Sequence, residues 1–144
     1  MRARIVRAIK AGLASRTVGE DIEAIRPARC RCQAHSTGVR DEETWGKRAD
    51  WVDYHGPLDG ETVGIAIFDH PSSFRHPTGW HVRTYGLFAA NPFGVSTFDK
   101  SLPKSPTTVD AGQKLRFRYR VIIHPGDTAT ADIANRWKQY TAGK

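Results

Sequence analysis

The stretch "QKLRFRYRVII", residues 113–123, constrains this chain more than any other. Leu115, Phe117, Tyr119, Val121 and Ile123 alternate with Lys114, Arg116, Arg118 and Arg120. A period of two sends successive side chains to opposite sides of an extended backbone and cannot form the 3.6-residue stripe of a helix. The pattern predicts a β-strand with the five apolar and aromatic residues facing a core. The row of cations is then a solvated face that keeps an edge strand soluble, with an anion-binding surface as the functional alternative.

A strand needs partners, and the sequence offers several. In "WVDYHGPLDGETVGIAIFDHP", Trp51 and Val52 lie in one arm of a hairpin and Val63 to Phe68 in the other. "GPLDG" supplies the turn, because Pro57 fixes φ and Asp59-Gly60 tolerates positive φ, while Pro71 stops the second arm. "WHVRTYGLFAA" reads as a further strand, "FGVSTF" as a short one and "SLPKSPTTVDAG" as a loop. The end, "HPGDTATADIANRWKQYTAGK", predicts a helix over residues 129–141. Asp127 or Thr128 caps it, Gly143 follows it, and Ile133, Trp137 and Tyr140 share its apolar face. The expected fold is mainly β: an antiparallel sheet or partial β-sandwich with a C-terminal helix.

The aromatic residues say where the core forms. All four tryptophans, four tyrosines and six phenylalanines of the 144 residues lie beyond residue 44. Two parts follow: a basic arm, residues 1–35, and a β-rich domain, residues 36–144. The arm carries eight Arg and Lys against three acids, so it holds five of the seven net positive charges. The remainder is close to neutral, which argues against a specific nucleic-acid partner. Ile5, Ile9 and Leu13 recur every four residues and predict a short amphipathic helix in the arm. Arg7 and Lys10 interrupt the segment where a secretory signal needs an apolar run, so a cytoplasmic location is expected. No apolar run approaches the length of a membrane span. Cys30 and Cys32 are too close in sequence for an unstrained disulfide and lack further cysteines for a metal site, so two thiols in a reducing compartment are expected.

Residues 68–86, "FDHPSSFRHPTGWHVRTYG", gather His70, His76 and His81 with Asp69, Arg75, Trp80, Arg83 and Tyr85. Three readings stay open. The segment could line a polar pocket for a sugar or other small molecule. Trp80 or Tyr85 would then offer a flat apolar face, with Asp69, His70, His81, Arg83 and Asn91 as hydrogen-bonding groups. His70, His81 and Asp69 would be the proton-transferring set, since histidine exchanges a proton near neutral pH. Alternatively His70, His76 and His81 could ligate a divalent transition metal, with Asp69 or Asp53 as oxygen ligand, though this spacing matches no strong motif. In the third reading the histidines satisfy loop carbonyls. Strand alternation puts His81, Arg83 and Tyr85 on one stripe and Trp80, Val82 and Thr84 on the other. His70 and His81 are expected at adjacent strand ends, with His76 at the loop tip as a solvent-facing or lid residue. Asp53 and Tyr54 from the hairpin and His124 from "IIHPGD" complete the candidate substrate contacts. No G-x-S-x-G elbow, phosphate loop or dinucleotide fingerprint occurs.

The segments "WGKRADWVDY", "GIAIFDHP", "HPTGWHVR" and "YGLFAANPFG" resemble a bacterial family that carries the label "methane oxygenase PmoA". The resemblance runs over about residues 38–140 and leaves residues 1–35 outside it. It implies a β-sandwich and a carbohydrate-related role. Particulate methane oxygenase chemistry is not implied, because those subunits span membranes and this chain has no such run. The resemblance also implies that the chain is the C-terminal half of a longer domain, so that the missing half or a second copy covers exposed sheet. Ser72, Ser73 and Phe74 depart from the Asn-containing segment expected there.

Overall fold

The computed structural model describes residues 32–101 and 107–143. Expectations for the arm before residue 32, including its helix and Cys30, lie outside the described residues. The main sheet has four antiparallel strands: β1 (Cys32–His35), β2 (Trp51–Leu58), β3 (Glu61–Asp69) and β6 (Tyr119–Pro125), in the order β1-β2-β3-β6. A separate hairpin pairs β4 (Trp80–Val82) with β5 (Phe88–Ala90). A 3₁₀ turn (Asp41–Thr44), a short helix α1 (Val95–Phe98) and the terminal helix α2 (Ile133–Ala142) complete the described elements. The expected mainly β fold with a C-terminal helix is what the structure has. No helix among the described residues is long and apolar enough to cross a membrane.

The β2–β3 hairpin forms where the turn chemistry puts it. Asp59 and Gly60 both take positive φ, 51° and 84°, the backbone that matches the twist of a two-residue hairpin. The first arm is longer than expected: Pro57 and Leu58 still pair, with Thr62 and Glu61. Strand β1 falls within residues 1–35, and each of its four residues pairs with β2. Gln33, Ala34 and His35 are buried, so the sheet extends into the segment read as an arm.

The sheet is covered on both faces. On one, α2 lays Ile133 and Tyr140 against Trp51, Ala66 and Phe68, with Trp137 and Ile122 at the margin. On the other, the β4–β5 hairpin packs Trp80 and Val82 against Val52, Tyr54 and Ala49. Trp80 is fully buried and satisfies its indole N–H on the Ala49 carbonyl at 2.9 Å. Truncating such a ring costs about 3–5 kcal/mol.

The facing of β6 reverses the expectation from its alternation. The strand begins only at Tyr119, leaving Leu115 and Phe117 outside the ladder, and Val121 and Ile123 are 61% and 40% exposed. The neighbouring parity is the covered one. Ile122 packs against the α2 core and His124 is buried. The cations on that side are accommodated by an aromatic ring: Arg120 stands over Tyr140 at 4.2 Å and Arg118 at 6.0 Å. Residues 121–123 are all apolar, so the sequence pattern is degenerate where the strand commits to a face. The predicted helix also starts late. The Asp127 carboxylate caps a preliminary turn through the Thr130 N–H at 2.8 Å, and α2 proper begins at Ile133.

Removing residues 1–35 takes β1 with it, whereas removing residues 1–31 leaves β1 in place. The longer deletion should lower the melting temperature relative to the shorter one by on the order of 10 °C, the shift that about 2 kcal/mol produces in a domain of this size. Equal melting temperatures would show that β1 contributes nothing.

Candidate functional site

Side chains on β2 alternate, so Asp53 and His55 share the face turned toward α2. The register then builds two rows across the sheet. One is Ala34, Asp53, Ala66 and Ile122; the next is Cys32, His55, Gly64 and His124. Alanines on either side of Asp53 leave room around its carboxylate. Gly64 does more, because a Cβ there would overlap the His124 ring and crowd the His55 Cβ at 3.0 Å. Only a residue without a Cβ at position 64 leaves room for the His124 ring where it lies.

The result is a buried cluster around one carboxylate. His124 Nε2 lies 2.8 Å from Asp53 Oδ1. Thr128 Oγ1 donates to Asp53 Oδ2 at 2.5 Å, and His55 Nδ1 meets the same oxygen at 3.2 Å. Asp53 has no exposed surface, and His55 keeps 7%. Burial by itself would push the Asp53 pKa up. Hydrogen bonds from His124, His55 and Thr128 and the His124 charge outweigh it and bring the value down to about 2. Burial likewise opposes a charged His124, but the Asp53 hydrogen bond and charge, with the Pro125 carbonyl at 3.2 Å from Nδ1, raise its pKa. Both His124 nitrogens face acceptors, which only the imidazolium satisfies. His55 turns Nδ1 to the Asp53 carboxylate, which leaves Nε2 as the ring nitrogen outside that contact.

Of the residues singled out in the sequence, the structure brings Asp53 and His124 together. His55, Thr128 and Gly64 were missed, although Asp53 and His55 at i and i+2 on an alternating strand were a readable signal. The expected pairing of His70 with His81 does not occur. His70 packs edge-on against Tyr140 of α2 at 5.2 Å, on one side of the main sheet. His81 lies on the outer side of β4, beyond the other face, against Trp45 and Phe98 at 6.1 and 5.8 Å. The chain between them is no simple loop between paired strands, because β4 pairs with β5 and not with β3.

Most of the other candidates have structural partners, while His70 Nε2 and Asp69 Oδ1 are buried without one. His70 Nδ1 accepts the Ser72 N–H at 3.0 Å, and burial with the nearby Arg118 and His76 charges lowers its pKa. Asp69 Oδ2 accepts the Thr78 N–H at 2.9 Å and faces His76 Nδ1 at 3.0 Å. His76 is thus no solvent-facing tip residue, for its Nε2 also lies 3.3 Å from Asp50. Trp80 is core. Tyr54 is buried, stacks on Phe88 and donates its hydroxyl to the Thr84 carbonyl at 3.0 Å. Arg83 covers the Trp45 ring at 4.5 Å, so His81 and Arg83 share that neighbour, but β4 ends at Val82 and Tyr85 sits in the following turn, 59% exposed. Asn91 Oδ1 accepts the Phe93 N–H at 3.2 Å. His70, His76 and His81 therefore form no metal-binding triad. Among the described residues no group of three His, Cys, Asp or Glu is placed to hold a metal ion. An open groove of about 870 Å³ lies elsewhere, lined by residues 37–43 and Thr84.

Fold and site together define an antiparallel β-domain, helix-covered on one face, with a buried Asp-His-His-Thr cluster under the cover. The chain belongs to a family of unknown function (DUF6807), whose model matches residues 11–138. That match corrects the resemblance to methane oxygenase PmoA, for nothing in it links the chain to that enzyme. No curated protein and no solved structure matches.

The paired shifts fix a pH window. Asp53 stabilises the fold above its unfolded value of 3.8 and loses that contribution as pH falls through about 2; His124 stabilises it below 6.5 and loses its contribution as pH rises through its elevated folded value. The pair contributes fully between 3.8 and 6.5. In Asp53→Asn, only the Pro125 carbonyl still opposes burial at His124, and its ring resonances should titrate at lower pH than in the parent; an unchanged or higher titration in that variant would show that Asp53 does not hold the charge. Gly64→Ala should cost about 1–3 kcal/mol in denaturant unfolding through overpacking against His124, and an unchanged midpoint would contradict the crowding.

Proposed function

We propose that the Asp53 cluster is an acid–base centre acting on a small neutral polyhydroxyl ligand of the carbohydrate class. The observation that supports this reading is one buried carboxylate orienting His55 through Nδ1. Such an arrangement fixes the tautomer, leaves Nε2 to accept a proton from a ligand hydroxyl, and stabilises the imidazolium that results. His124 has a different task. As a fixed cation on the second carboxylate oxygen, it keeps Asp53 ionised when the site is dry. The charges of Asp53 and His124 cancel, so the cluster favours a neutral ligand over an anion or a cation. The aromatic wall envisaged in Trp80 and Tyr85 is not part of this reading, because both lie away from the cluster.

A second reading has its own support. Both Asp53 oxygens and both His124 nitrogens have partners within the cluster, which suits a clamp that fastens the turn before α2 to the sheet. As a further proposal, the exposed strip of Phe117, Val121 and Ile123 is the surface that a second copy or the rest of a longer family domain would cover.

Saturation-transfer NMR against a panel of neutral mono- and disaccharides separates the two readings. For an acid–base centre, His55→Gln should weaken binding at least tenfold with little change in melting temperature, while His81→Ala leaves binding intact. A variant set that loses stability with no effect on any ligand would identify a clamp.

A further inference from the structure

Strand β6 is outermost in the main sheet, and among the described residues no strand lies beyond it. Its hydrogen bonds fix which way its backbone faces. The Arg118 carbonyl accepts the His70 N–H at 3.0 Å, and the Gly126 N–H donates to the Thr62 carbonyl at 2.8 Å, both toward β3. In an antiparallel ladder the N–H and C=O of one residue point the same way, and the direction alternates along the strand. Arg120, Ile122 and His124 therefore bond to β3, while Tyr119, Val121 and Ile123 turn their N–H and C=O groups outward. Val121 and Ile123 are also exposed in their side chains. Phe117 continues this apolar strip, and the Phe74 and Phe93 rings meet it at 6.1 and 6.0 Å. The opposite face of the same segment is cationic. Arg116 and Arg120 are exposed and Arg118 is half-buried, and among the described residues no carboxylate pairs with any of the three.

We propose that the outer edge of β6 docks an extended segment of a partner polypeptide in which acidic and apolar residues alternate. This inference rests on the reading of Phe117, Val121 and Ile123 as a covered strip, and names the chemistry of the cover. Added as a further strand, such a segment makes its main-chain bonds to Tyr119, Val121 and Ile123. Side chains directly opposed on one face of a strand pair interact, and opposite charges there stabilise while like charges oppose. The apolar side chains of the segment fall against Val121 and Ile123, and its carboxylates fall against the arginine row. The same row disfavours a second copy, whose β6 would bring more arginines to the seam. An apolar strip alone would accept any hydrophobic partner. The open ladder selects an extended one, and the cations select an acidic one.

The test uses the isotope-labelled full chain and synthetic peptides of the length of β6, seven residues. A peptide of alternating Glu and Val should bind with a Kd of about 1 mM or tighter. At saturation it should slow hydrogen exchange of the outward Val121 and Ile123 amides by about tenfold or more. A peptide of alternating Lys and Val should bind about tenfold more weakly or worse, and Arg120→Glu should reverse that preference. Val121→Glu, at a site 61% exposed, should weaken the Glu/Val peptide while leaving the melting temperature within a few degrees. Equal affinity for the two peptides would overturn the proposal, as would Val121 and Ile123 amides that exchange equally fast with and without peptide. Should Arg120→Glu fail to fold, Val121→Glu decides, and undiminished binding by that variant overturns the proposal. A dimer seen by sedimentation that Val121→Glu dissociates would also overturn it, while leaving the strip a covered surface. Failure of both peptides to bind a chain that stays monomeric would overturn the two together. No sugar enters the assay, so each outcome is separate from ligand binding at the Asp53 cluster.

Discussion

One ion pair organises this domain. Asp53 sits in the middle of a β-sheet face that α2 covers, where a carboxylate left alone would carry a desolvation cost of several kcal/mol. The chain meets that cost from three separate places. His124 comes from β6, Thr128 from the turn that follows it, and His55 from the same strand two residues on. The residues around the pair are small for the same reason. A side chain at Gly64 would fill the space that the His124 ring needs, and Ala34 and Ala66 pair on either side of Asp53.

The two faces of the sheet divide the work. Trp51, Phe68, Ile133 and Tyr140 make an apolar patch beside the charged cluster, and Trp80 with Val52, Tyr54 and Val82 makes a second core on the reverse. Hydrophobic burial there supplies the cohesion that an internal charge network does not. The polar loop of residues 70–78 is tied in by Asp69, which holds the Thr78 N–H and faces His76 while its own carbonyl accepts the Trp137 indole N–H at 3.1 Å. The histidines of that loop thus position chain segments on opposite sides of β3.

The sequence made the elements legible more readily than their arrangement. The Asp59-Gly60 turn, the second arm of the hairpin and the apolar face of α2 follow from local chemistry and are found where expected. Facing was harder. The run Val121-Ile122-Ile123 is apolar on both parities, so alternation upstream could not decide which side of β6 meets the core, and Arg120 found an aromatic partner where solvent was expected. Sequence clustering also misled, since three histidines in twelve residues looked like a site and are distributed over both sides of the sheet. The cluster that did assemble joins Asp53 to a histidine 71 positions away. Only the strand order could reveal that proximity, and strand order is not a local property. The sequence marks Asp53 and His124 as ligand contacts, but not as each other's partner.

That separation also governs how the chain reaches its native state. The β2–β3 hairpin can close by itself through a two-residue turn, a local and fast event. Its Asp53 must keep its water at that stage, because the cation that replaces water arrives with β6, after a much longer loop has closed. Drying of the α2 face is therefore coupled to the docking of β6. A hairpin capped by α2 without β6 would trap a carboxylate in an apolar layer, and that state is suppressed by the cost of the stranded charge. The buried pair thus acts as a checkpoint on the order of assembly, favouring all-or-none closure of the helix-covered layer over partly formed intermediates.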